Sequence, residues 1–146
     1  MALINPYLNF NGTTEEAFNF YKSVFGGEFA MIIRFKDMPN PEDPIPEEDD
    51  DKIMHIALPI GGHNVLMGTD FLESMGQKTL EGNRYTVSIS AESKKEADNL
   101  FHGLSIDGNI EVPISDSSWG SYFGLFKDKF GIQWMVDFDP KYKGNL

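Results

Sequence analysis

Along residues 3–10 apolar and polar side chains alternate. Leu8 and Phe10 face one way, Asn5, Tyr7 and Asn9 the other, and a period of two predicts a strand. Asn11-Gly12 turns the chain. Thr13-Thr14-Glu15-Glu16 then reads as a capping box, with Thr13 as N-cap and Glu16 reaching back. The period lengthens to that of a helix, with Ala17, Phe20, Tyr21 and Val24 on one stripe, and Gly26-Gly27 ends it. A second strand is predicted over 29–35. Two more follow over Ile53–Ile60 and 64–69, joined at Gly61-Gly62-His63. On the first of these two, alternation puts Ile53, His55, Ala57 and Pro59 on one face and Met54, Ile56 and Leu58 on the other.

The same order then returns. Residues 84–90 predict a strand whose Tyr85, Val87 and Ile89 face a core, leaving Arg84, Thr86 and Ser88 on the other side. Ser93-Lys94-Lys95-Glu96 is a second capping box, and Ala97, Leu100, Phe101 and Leu104 form a second helical stripe. Asp107-Gly108-Asn109 ends that helix, and 110–114 is the next strand. A loop over 115–120 leads to a hairpin, Tyr122–Lys127 and Gln133–Phe138, turned at Asp128, Lys129 and Gly131. In its second strand Trp134, Val136 and Phe138 oppose Gln133, Met135 and Asp137. Both halves read strand, helix, three strands. Met67 and Met135 fall near the same point of each last strand. The pattern is an internal duplication of βαβββ modules, hence an α+β fold. Module one covers about 1–70 and module two about 80–140 of a single domain, 1–146.

Composition narrows the function classes. The 146 residues include no Cys, which excludes disulfides, thiolate zinc sites and a cysteine nucleophile. A formal charge of −11 argues against nucleic acid or an anionic membrane as partner. Eight of the carboxylates, and no base, lie in 37–51, so the rest of the chain is close to neutral. Pro39, Pro41, Pro44 and Pro46 fall there too, and the segment reads as a mobile acidic loop: a lid, a cation-binding arm or a solvated insertion. No apolar run is long enough to span a membrane, and the start of the chain has no secretory pattern, so a cytoplasmic protein is expected. Gly-x-Ser-x-Gly, Gly-x-Gly-x-x-Gly and Walker-type loops are missing. No Gly-rich strand-to-helix turn offers a methyltransferase its nucleotide-type cofactor site, and no catalytic residue is assigned.

Particular words of the sequence resemble a known group. Pro6-Tyr7-Leu8-Asn9-Phe10, Phe25-Gly26-Gly27-Glu28, His55-Ile56-Ala57-Leu58 and Leu66-Met67-Gly68-Thr69-Asp70 are similar to words of PhnB-like proteins. So are Ser118-Trp119-Gly120 and Asp128-Lys129-Phe130-Gly131-Ile132-Gln133-Trp134-Met135. These proteins, labelled demethylubiquinone-methyltransferase-like, belong to the vicinal-oxygen-chelate superfamily of glyoxalase I, extradiol dioxygenases and bleomycin-resistance proteins. The resemblance implies the glyoxalase/bleomycin resistance fold, an open cup of mixed sheet with helices outside, and a homodimer.

It also implies where metal ligands would stand in the superfamily's enzymes: by strand phase, at Asn5, Met67, Arg84 and Met135. None is His, Asp or Glu, so no metal is expected there and no cofactor is assigned. The expected ligand-binding residues are Tyr7, Asn9, His55, Met67, Arg84, Ser88, Trp119 and Met135. Thioethers, aromatic rings, polar groups and one cation suit a small organic molecule, with Arg84 meeting an anionic group. Asp137 is the expected protein partner of Arg84. The preferred reading is a non-metal small-molecule-binding protein. A metal-dependent lyase, isomerase or dioxygenase using His55 stays open, as does a dimeric structural or regulatory protein without ligand.

Overall fold

The computed structural model describes residues 2–141; Met1 and 142–146, the outer ends of the expected domain, lie outside the described residues. The chain divides into two units, one running to Leu80 and one starting at Glu81. Each is a four-stranded mixed sheet with one helix on one face. In the first, β1 (Tyr7–Phe10), α1 (Thr14–Phe25), β2 (Met31–Arg34), β3 (Ile53–Ile60) and β4 (Asn64–Asp70) give the order β1-β4-β3-β2. In the second, β5 (Val87–Ser90), α2 (Lys94–Leu104), β6 (Asn109–Asp116), β7 (Tyr122–Lys127) and β8 (Gln133–Phe138) repeat it as β5-β8-β7-β6. In both, the first strand runs parallel to the last and all other pairs are antiparallel. This is the α+β duplication that the periodicity predicts. Among the described residues no helix is long and apolar enough to cross a membrane.

The α1 stripe that meets the sheet is Thr14, Ala17, Phe18 and Tyr21, all fully buried. The predicted stripe included Phe20 and Val24, which are only half-buried. The helix is turned because Phe18 lies over Gly68 of β4: a Cβ there would stand 2.6 Å from the Phe18 ring. Module two repeats the device, with Phe101 of α2 over Gly124 of β7 and a would-be Cβ at 2.5 Å. Each buried ring removes enough apolar surface to stabilise its unit by about 1.5–3 kcal/mol.

Several expectations change at the ends of elements. The strand expected over 3–10 begins at Tyr7: Pro6 has no donor, and the Asn5 Oδ1, rather than backbone, accepts from Val65 N at 3.0 Å. β2 is shorter than 29–35: it starts at Met31 and ends at Arg34, after which Phe35 enters a 3-10 turn. On β3, Ile33 pairs with His55 and Arg34 with Ile53, which makes Met54 an extra residue. The bulge breaks the alternation, so Ile53 does not share the face of the half-buried His55 and is 1% exposed. β5 begins at Val87, not at 84, because β8 offers no partner before Gln133. Tyr85 is therefore 87% exposed rather than in a core. β6 runs longer than 110–114, with two register shifts against β7.

Candidate functional site

On the helix-free face of the first sheet, Tyr7, Met67 and Ala57 are in register across β1, β4 and β3, and Asn9 pairs with Thr69. His55 lies on the same face. Its Nδ1 is 3.4 Å from the Tyr7 hydroxyl and the two rings are 5.7 Å apart. A 3.4 Å contact is a weak hydrogen bond, so both groups keep capacity for another partner. Tyr7 and Asn9 are exposed, and His55 and Met67 half-buried. Four of the expected site residues, Tyr7, Asn9, His55 and Met67, are thus gathered on one surface.

On the helix-free face of the second sheet, Ser88, Met135 and Leu125 are in register, and Ser90, Asp137 and Phe123 form the next row. Trp119 is 69% exposed and stands edge-on to Phe123, ring centroids 5.8 Å apart, so it is a surface aromatic and not a core anchor. Loss of water, and secondarily Asp139, raise the Asp137 carboxyl above the ordinary aspartate range. Gln133 is committed elsewhere, accepting from Thr86 Oγ1 at 2.6 Å and donating to Glu111 at 2.9 Å.

Arg84 does not join this face. It precedes β5 on an exposed connection, and strand alternation does not reach it. Among the described residues it forms no ion pair, with Asp137 or any other acid. The positions in register with the two methionines are Tyr7 and Ser88, not Asn5 and Arg84. A phenol and a thioether in the first unit, and a hydroxyl and a thioether in the second, do not fit a divalent ion that needs imidazole or carboxylate. Among the described residues no three His, Asp or Glu side chains are grouped to hold one.

Two acids in the motif words have structural work. Asp70, 3% exposed, ends β4. Its Oδ1 accepts from Thr14 N at 3.1 Å and Thr14 Oγ1 at 2.6 Å, and its Oδ2 from Ile53 N at 2.8 Å. One carboxylate thus caps α1 and serves the start of β3, and Thr13 makes no side-chain cap bond. Module two keeps the predicted N-cap, Ser93 Oγ accepting from Glu96 N, but Glu96 reaches back to Glu92 N, one residue before the cap. Asp128, 4% exposed, accepts from Phe130 N, Ile132 N and Trp134 Nε1 at 2.8–3.0 Å, which closes the β7–β8 turn and aims the indole into the core.

The acidic loop is also more structured than its composition suggests. Backbone bonds from Phe35 N to Lys52 O and from Lys36 N to Asp50 O stitch its ends together. Asp49 is buried, pairs with Lys52 at 2.8 Å and accepts from Ser74 at 2.8 Å. These partners hold its carboxyl below the ordinary aspartate range. Arg34 grips both Glu15 oxygens at 2.6 and 3.1 Å, and Lys36 pairs with Asp51 at 2.6 Å. Sequence reasoning missed this lock, and it missed Phe123. The bases Arg34, Lys36 and Lys52 flanking the acidic run were the available signal for the lock.

A family model described as 3-demethylubiquinone-9 3-methyltransferase matches residues 2–137. The chain belongs to this family. A solved structure similar to it is protein PA1353 from Pseudomonas aeruginosa, 34% identical, covering 95% of this chain and 98% of that one, with a TM-score of 0.83. A putative 3-demethylubiquinone-9 3-methyltransferase, PhnB protein, from Bacillus cereus is 27% identical over 94% and 99% of the two chains, with a TM-score of 0.73. A glyoxylase/bleomycin resistance protein/dioxygenase domain from Frankia sp. EAN1pec shares the fold at 12% identity, TM-score 0.68, over 98% and 95%. The family is thus PhnB-like, and its fold is that of the glyoxalase/bleomycin resistance proteins.

Proposed function

We propose that this family member binds a small organic molecule, without a metal ion, on the helix-free face of a sheet. The observation that supports this most is the pair of methionines at matching strand positions, Met67 beside Tyr7 and Met135 beside Ser88. Thioethers adapt to a ligand's shape, and aromatic rings supply apolar contact at small entropic cost. His55 and Asn9 on one face, and Ser88 on the other, supply hydrogen bonds that fix orientation. Trp119 adds an exposed ring at Phe123. Arg84, exposed and without an acid among the described residues, is free to meet a carboxylate or phosphate on the ligand.

Methyl transfer is not part of the proposal. The β1–α1 connection, residues 11–13, has one glycine and the β5–α2 connection, 91–93, has none. Neither fits the Gly-rich strand-to-helix turn that a nucleotide-type cofactor uses. We place the protein in the cytoplasm as a homodimer, which light scattering at micromolar concentration tests directly.

A thermal-shift screen over small metabolites and antibiotics, followed by calorimetry, tests the binding reading. A hit should lose affinity in Met67→Ala if it binds the first unit, or in Trp119→Ala if it binds the second. An anionic hit should weaken in Arg84→Met, whose stability stays within about 0.5 kcal/mol of the parent because the side chain is exposed. Stoichiometric zinc, nickel, manganese or iron in protein purified without chelator would overturn the non-metal reading in favour of a metal-dependent enzyme.

A further inference from the structure

The acidic loop closes a pocket of about 430 Å³ in the first unit. Its apolar lining comes from Phe35, Met38, Ile45, Met54 and Met75, with prolines of the loop between them. Met54 is the residue that the β3 bulge inserts into the ladder, and bulges re-aim side chains in this way. The volume falls within the range of small-molecule sites, about 300–1,000 Å³. The lock described above holds the walls before any ligand arrives, which lowers the ordering cost of binding.

The charges around the pocket select one kind of occupant. Its one lining base, Lys36, is engaged with Asp51. Lys52 and Arg34 are likewise engaged, with Asp49 and Glu15. Two carboxylates also line the pocket, Asp43 and Asp50, and neither forms an ion pair with a described residue. Thioethers and the Phe35 ring are favourable neighbours for a cation with an apolar body. The surrounding excess of carboxylates in 37–51 raises the local concentration of cations further. We propose that this pocket is a second binding site, specific for a small organic cation: an amine or quaternary ammonium at Asp43 and Asp50, its apolar part on Met38, Met54 and Met75. Tyr7, Asn9, His55 and Met67 are not among the residues that line it.

A matched trio of probes tests it: phenylpropylamine, phenylpropanol and phenylpropanoate. Binding is followed by calorimetry and by the methyl resonances of carbon-labelled methionines. The amine should bind more tightly than the alcohol by about two- to fivefold, the size of one solvent-exposed ion pair, and the acid weakest of all. It should shift the methyls of Met38, Met54 and Met75 and leave those of Met67 and Met135 in place. The double variant Asp43→Asn, Asp50→Asn should keep its melting temperature and lose the preference for amine over alcohol. Equal affinity for the three probes, unchanged preference in the double variant, shifts confined to Met67 or Met135, or no binding of the amine at millimolar concentration would each overturn the proposal. Shifts confined to Met67 or Met135 would put the amine on a helix-free face; the other results leave the binding reading for those faces untouched.

Discussion

Asp70→Asn is the sharpest test of how module one is held together. The Asp70 carboxylate takes three hydrogen bonds on two oxygens, from Thr14 N, Thr14 Oγ1 and Ile53 N. An asparagine keeps one acceptor and turns an amide N–H toward the remaining donor. At least one buried backbone N–H then loses its partner, at a cost of about 1–3 kcal/mol. Removing a negative charge from the N-terminus of α1 adds about 0.3–1 kcal/mol. The expected loss is about 1.3–4 kcal/mol, which for a chain of this length lowers the melting temperature by about 4–12 °C. Urea unfolding followed by far-ultraviolet circular dichroism should show a lower midpoint at an unchanged slope. Both tryptophans, Trp119 and Trp134, lie in the second unit, so indole fluorescence reports whether that unit is spared. Thr13→Ala is the control and should cost little, because Thr13 makes no cap bond, whereas Ser93→Ala should cost about 1 kcal/mol. A loss below about 0.5 kcal/mol in Asp70→Asn, with a larger one in Thr13→Ala, would refute the capping role and restore the sequence-level capping box.

The would-be Cβ at Gly124 meets the Phe101 ring, so Gly124→Ala should destabilise the second unit by about 1–3 kcal/mol in chemical denaturation, and Gly68→Ala should do the same to the first through Phe18. Neutral behaviour of both would mean that the helices shift freely over their sheets. Acid should loosen the loop lock. Glu15 and Asp49 are held below their ordinary values of 4.5 and 3.8 by Arg34 and by Lys52 with Ser74, so their stabilisation is present above those values and lost as pH falls through the lower folded ones. Hydrogen exchange at the Phe35 and Lys36 amides should therefore lose protection below about pH 4, and unchanged protection at about pH 3 would contradict the lock. Asp137 has the opposite sign. Its raised value means that ionisation is disfavoured in the folded state, so Asp137→Asn should unfold at a slightly higher temperature than the parent at neutral pH, and a lower temperature would count against it.

The sequence by itself determined the repeated order of elements. Hydrophobic period is a local property, and it was strongest where one face of a strand or helix meets a core. Hence the β7–β8 hairpin matches its predicted bounds, as do the β3 strand and the stripe of α2 at Ala97, Phe101 and Leu104. The sequence also placed Tyr7, Asn9, His55 and Met67 on one face, because strand alternation survives wherever pairing is regular. Tertiary structure decided what depends on a distant partner. β5 begins only where the parallel β8 begins to offer hydrogen bonds, which leaves Arg84 and Tyr85 outside the sheet. A bulge in β3 sends Ile53 into the core and Met54 toward the pocket. Asp70, at the far end of β4, displaces Thr13 as the cap of α1, and three flanking bases fold an acidic loop that charge repulsion alone would leave open. Apart from the local Asp49–Lys52 pair, each of these contacts joins residues far apart in the chain, and no local pattern encodes the register that brings them together.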